Sequence, residues 1–116
     1  MILKDFDLVN LCPHDVKIIA DGQEVVIPAT GEIARCNTRY IRTGEVNGIP
    51  LYRMLYAGTY GLPEQKGNTF YITSQWVWKN NKSRDDILVP AEKIKDGKYI
   101  EGVTGLAIPV DAGKDW

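Results

Sequence analysis

Apolar and polar residues alternate along much of this chain, and three glycine turns punctuate the alternation: Asp21-Gly22, Asn47-Gly48 and Asp96-Gly97. An Asn-Gly or Asp-Gly pair between alternating runs is the strongest short-range hairpin signal, because both central residues of a type I′ turn need φ > 0. Residues 16–19 and 23–27 are therefore predicted to be arms of a first hairpin. Pro28 closes it, since proline cannot donate to a ladder. Glu45-Val46 and the stretch from Ile49 to Tyr52 make a second hairpin, and residues 91–94 lead into a third around Asp96-Gly97.

Between these hairpins lie shorter β-prone runs. Phe6, Leu8 and Asn10-Leu11 read as a first strand stopped by Pro13, and residues 33–36 as another. Residues 37–45 look like an irregular connection or edge strand. Met54, Tyr56 and Tyr60 continue an aromatic stretch that ends at Gly61-Leu62-Pro63-Glu64. Residues 69–73, rich in β-branched and aromatic side chains, form the most β-prone run. The one predicted helix spans 75–81 with Ser74 as its N-cap. Its apolar positions make no clean stripe, so a strand through 75–79 is the alternative. Residues 83–86 form a polar loop, 87–90 a short buried strand, and Tyr99 to Ile108 finishes the sheet. The fold class is mainly β: a single-domain barrel or sandwich over residues 1–110, of about six to eight strands with one short helix, followed by a flexible tail at 111–116.

The length of 116 residues suits one domain, and 44% hydrophobic with 25% charged residues is ordinary globular composition. A net charge of −1 gives no general pull toward extended nucleic acid or an anionic membrane. No basic-then-apolar leader opens the chain, and no apolar run approaches the ~20 residues of a membrane helix, so a cytoplasmic location is expected. Cys12 and Cys36 have no CxxC spacing and are expected to be free thiols.

Four constellations could carry chemistry. The turn Cys12-Pro13-His14-Asp15 holds the only histidine beside a carboxylate, a candidate general base. The simpler reading is that these side chains satisfy loop backbone groups. Ser83-Arg84-Asp85-Asp86 offers Arg84 to an anionic ligand and Asp85 to a ribose-like hydroxyl; the simpler reading is an Arg–carboxylate clamp. Adjacent acids on a strand point to opposite faces, so no metal site is expected. Arg35, Arg39, Tyr40 and Arg42 with Tyr52, Arg53 and Tyr56 have the composition of a nucleotide site or of a protein-binding hot spot. Ser74, His14 and Asp85 or Asp86 contain the residue types of a triad, but Ser74 lacks a glycine-flanked elbow and is better explained as a cap.

The order of Asn10-Leu11-Cys12-Pro13-His14-Asp15-Val16, Gly61-Leu62-Pro63-Glu64, Tyr71-Ile72-Thr73-Ser74 and Arg84-Asp85-Asp86-Ile87-Leu88-Val89-Pro90 resembles a family of small bacterial and bacteriophage proteins of uncharacterised activity. The resemblance covers about residues 8–107. It implies a phage or prophage accessory protein with a host-interaction or anti-defence role, and it supplies no reaction. Cys12 stands where that family's pattern has a small hydroxylated residue.

The leading functional expectation is a non-enzymatic binding module without a cofactor. It holds a small anionic, nucleotide-like molecule through His14, Arg35, Arg39, Arg42, Arg84 and Asp85. One alternative uses the same surface against a host protein. Another is a small hydrolase with His14 as base, assisted by Ser74 or Asp85. Self-association to cover edge strands, as a homo-oligomer, is a further expectation.

Overall fold

The structure, a computed structural model, describes residues 3–111. Apart from Asp111, the tail expected to be flexible lies outside the described residues. In chain order the elements are β1 (Asp7–Asn10), β2 (Val16–Ala20), β3 (Gln23–Ile27), β4 (Arg35–Val46), β5 (Ile49–Tyr60), β6 (Thr69–Ile72), α1 (Gln75–Lys79), β7 (Ile87–Pro90), β8 (Lys93–Asp96), β9 (Tyr99–Val103) and β10 (Leu106–Ala107). They form two four-stranded sheets, ordered β1-β6-β7-β10 and β3-β2-β9-β8, and a separate two-stranded ribbon, β4-β5. The mainly β expectation holds. The sheets are arranged as in a sandwich, and no closed barrel forms among the described residues.

Two of the glycine turns are built as predicted. Asp21 and Gly22 have φ of 52° and 73°, and Asn47 and Gly48 have 52° and 79°. The third differs. Asp96 pairs with Tyr99, so the central residues are Gly97 and Lys98, and only Gly97 has positive φ. Glycine in the first central position is the other favoured hairpin solution.

β1, β6 and β7 run parallel, and β10 closes the sheet antiparallel to β7. Parallel neighbours need a crossover. The connection from β6 to β7 contains α1, where the Ser74 hydroxyl caps the backbone N–H of Val77 as expected. The helix ends at Lys79 rather than 81, because Asn80 and Asn81 turn their side-chain amides back onto the Trp76 and Val77 carbonyls.

Side chains alternate across β6, and the core splits accordingly. Ile72, with Phe70 beside it, faces the second sheet and meets Cys12, Val16, Leu88 and Val103. Tyr71 faces the opposite side and packs with Leu11, Ala34 and Val77. Both faces of the parallel sheet are thus covered, which is why the runs at 69–73 and 87–89 are apolar without alternation.

Asn10 ties the end of β1 to three neighbouring segments. It is 1% exposed. Its amide donates to the carbonyls of His14 (3.1 Å) and Ile27 (2.9 Å), and its Oδ1 accepts from the Cys12 N–H (2.9 Å). The Thr30 hydroxyl donates to its backbone carbonyl. A second close approach occurs where the ribbon rejoins the body. A Cβ on Gly61 (φ +77°) would stand 2.3 Å from the Ile33 carbonyl oxygen, so only glycine fits there.

The length of the ribbon and its separation from both sheets are the main departures from expectation. Of the two readings of residues 37–45 the edge strand holds and the irregular connection does not: β4 runs unbroken over 12 residues against the 12 of β5. Register shifts between Cys36 and Thr38 and between Arg42 and Gly44 mark two bulges. At ~3.3 Å per residue the ribbon is roughly 40 Å long. Its projection explains a radius of gyration of 17.0 Å, where a compact chain of this length would have about 13 Å.

Asn10→Ala is expected to lower the unfolding free energy by about 2–4 kcal/mol, because it strands one buried donor and two carbonyls. Urea denaturation checks this, and a change below about 0.5 kcal/mol, as for an ordinary surface substitution, would show that Asn10 does not organise these loops.

Candidate interaction surface

Parallel pairing decides which loops can share a site. The loop 10–15 leaves the C-terminal end of β1, whereas the loop 83–86 enters the N-terminal end of β7. Because β1, β6 and β7 point the same way, these loops lie at opposite ends of the sheet. The register sets Val9, Tyr71 and Ile87 level, so the loops leave from strands two apart in the sheet and run in opposite directions, with Arg84 and Asp85 on one cleft and His14 on another. The composite small-anion site that joined His14 to Arg84 and Asp85 is therefore not formed.

Each half of that expected site has its own local geometry. Arg84 makes a bidentate pair with Asp86, Nε to Oδ1 at 2.8 Å and Nη2 to Oδ2 at 2.7 Å, and Nη2 also donates to the Pro63 carbonyl at 2.9 Å. The Asp86 side chain is only 4% exposed. Its hydrogen bond pushes the Arg84 pKa above its usual range, against the opposing effect of burial. This clamp holds the loop 61–64 against the entry to β7. Asp85 accepts from the Gln65 amide and faces outward.

At the other end, the Asp15 carboxylate accepts from the Ala29 N–H at 2.8 Å and pins the turn after β3. The His14 ring lies 3.0 Å from the Asp15 carbonyl, its only hydrogen-bonding partner among the described residues. Ser74 serves the helix cap instead. The hydrolase constellation of His14 with Ser74 or Asp85 is thus not assembled. His14 borders a cleft of about 440 Å³ with Lys17, Lys93 and Glu101, a wall of mixed charge. Cys12 and Cys36 are free thiols, as expected. Burial pushes the Cys12 thiol pKa up, and its sulfur sits 3.8 Å from the Ile72 carbonyl.

Arg35, Arg39 and Arg42 all lie on β4. Cross-strand partners share a face, so the register sorts the ribbon into two surfaces. The pairs Thr38–Tyr56, Tyr40–Met54 and Arg42–Tyr52 define one face. The pairs Arg39–Leu55, Ile41–Arg53, Gly44–Leu51 and Val46–Ile49 define the other. The candidate arginines are therefore split: Arg42 stands among tyrosines, and Arg39 among aliphatic side chains.

The aromatic face is open to solvent. Tyr40 is 64% exposed, Tyr52 52%, Met54 51% and Tyr56 44%. Arg42 is held by Glu45 at 3.2 Å, and the Tyr56 hydroxyl is hydrogen-bonded to Thr59, so two of these side chains are oriented in advance. Pattern reading found the Arg–Tyr composition but missed Met54 as part of the patch and missed the face division. The bulges that set the register are invisible in the alternation.

No family model, curated protein or solved structure matches the chain.

Arg84→Ala is expected to cost about 3–5 kcal/mol in urea unfolding, because Asp86 is left buried and unpaired. Arg84→Lys should recover this only in part, since one ammonium cannot fork to two carboxylate oxygens and a carbonyl. Full recovery would reduce the clamp to a point charge. Cys12 should resist alkylation at neutral pH in the native protein and react once denatured, as read by peptide mass spectrometry. Its raised pKa carries a sign: the protonated thiol stabilises the fold below the ordinary value of 9.0, and that contribution is lost as pH rises through the folded value.

Proposed function

We propose that this protein is a non-enzymatic binding module that engages a protein partner through the aromatic face of the β4–β5 ribbon. One observation carries the reading: Tyr40, Tyr52, Met54 and Tyr56 stand exposed with Arg42 on a single face of a projecting ribbon. Tyrosine, methionine and arginine are the residues enriched at protein interfaces, where a few of them supply most of the binding energy. A ribbon about 40 Å long offers a flat or convex surface, whereas small-molecule sites are concave.

The separation of His14 from Arg84 favours this reading over a small anionic ligand. A phage or prophage accessory acting on a host protein belongs to the same proposal and rests on the motif resemblance alone.

The test is affinity capture from a bacterial lysate with the wild-type chain and with Tyr52→Ala/Tyr56→Ala as baits, followed by titration of the purified partner. A stoichiometric partner whose affinity falls by a factor of roughly ten or more in the double variant is expected, given ~2 kcal/mol for a hot-spot side chain. Equal affinity for both baits would sink the assignment to this face. A small adduct retained in native mass spectrometry of the purified protein would return the anionic-ligand reading.

A further inference from the structure

The opposite face of the ribbon poses a separate problem. Ile41, Val46, Ile49, Leu51 and Leu55 are 48%, 50%, 63%, 46% and 42% exposed, all on the face that also carries Arg39 and Arg53. Together they present roughly 400 Å² of aliphatic surface, within the ~300–600 Å² of a typical monomer's largest patch, and a second apolar face lies behind it. A two-stranded hairpin standing alone in water is marginal at best. The hydrogen bonds that tie this ribbon to the body lie at its base, where Cys36 donates to the Trp76 carbonyl and the Asn81 amide donates to Thr59. The distal part therefore needs cover whenever the chain is folded, which a transient partner does not provide.

We infer that a second copy of this chain supplies that cover: the aliphatic–arginine face of each ribbon packs on the body of the other copy, in a two-fold arm exchange. Charge favours the body over the other arm. Residues 35–60 hold four arginines against the single Glu45, a formal +3, so the rest of a chain with net charge −1 carries −4. Glu45 is already engaged with Arg42. Arg39 and Arg53 form no ion pair among the described residues, and two ribbons stacked face to face would set these cations against each other.

The body offers an exposed apolar strip at the outer edge of β1, where Leu3, Phe6 and Leu8 lie in a segment whose Lys4, Asp5 and Asp7 sum to −1. Reciprocal exchange is isologous, so every contact is made twice. Covering one aliphatic face and the body surface beneath it in each direction removes on the order of 800 Å² per copy, the area of a standard stable interface. The interface composition agrees, since homodimer contacts are more apolar than transient ones. The aromatic face is left free, so this inference adds to the proposed function without depending on it.

Sedimentation equilibrium of the full chain at micromolar concentration tests the inference. Wild type is expected at twice the monomer mass, and Leu51→Glu at the monomer mass. Because Leu51→Glu could also unfold the ribbon, Arg39→Glu/Arg53→Glu provides a second arm: both positions are exposed, and circular dichroism should stay native. This variant should weaken dimerisation by a factor of ten or more at low salt, with the difference shrinking at high salt. A monomeric wild type overturns the inference, as does a dimer indifferent to Leu51→Glu. A dimer strengthened by the arginine reversals would set arm against arm and overturn the arm-on-body arrangement. Loss of the heterologous partner in Tyr52→Ala/Tyr56→Ala with an unchanged dimer separates the two assignments.

Discussion

Parallel pairing of β1, β6 and β7 is the constraint on which the rest of this structure depends. It places the ends of the three strands together, C-terminal ends on one edge and N-terminal ends on the other. Everything chemically suggestive in the loops is sorted by that one fact. The Asn10–Asp15 turn and the Ser74 cap go to one edge, and the Arg84–Asp86 clamp goes to the other. Parallel strands also demand cover on both faces, which divides the core into the cluster against the second sheet and the cluster beneath α1.

Within that frame the most suggestive polar residues turn out to be occupied. Asn10 satisfies one N–H and two carbonyls from a nearly inaccessible position, and Arg84 closes three hydrogen bonds across two loops. A buried amide or guanidinium is held by the groups it serves, because leaving any of them unpaired in a low-dielectric interior costs more than the bond itself gains. Such residues define shape. The surface able to meet a partner is the ribbon, where apolar side chains stand out in water with no counterpart beside them.

The ribbon also explains why a chain of ordinary composition has an extended outline. Its two faces differ in kind: tyrosine and methionine with Arg42 on one, aliphatic residues with Arg39 and Arg53 on the other. Alternation at period two makes this separation unavoidable once the register is set. A one-residue change in either bulge would exchange the two sets of side chains, so the division of labour rests on two local irregularities near Thr43 and Gly58.

Several features were legible in the sequence because they are local. The Asp21-Gly22 and Asn47-Gly48 turns follow from backbone sterics, the Ser74 cap from helix-end hydrogen bonding, and the β class from alternation. The clamp of Arg84 onto a neighbouring carboxylate was legible as residue chemistry, as was the service of Asp15 to its loop. The sequence did not disclose the role of Asn10, whose partners lie up to 17 residues away. Nor did it show how far a strand through 37–45 would run, because Asn37 to Glu45 has no period-two alternation when both faces of the ribbon are exposed. Which loops would meet was decided by tertiary structure alone. Strand direction within a sheet is a long-range pairing, and no residue in the loops at 10–15 or 83–86 records which end of the sheet it will occupy.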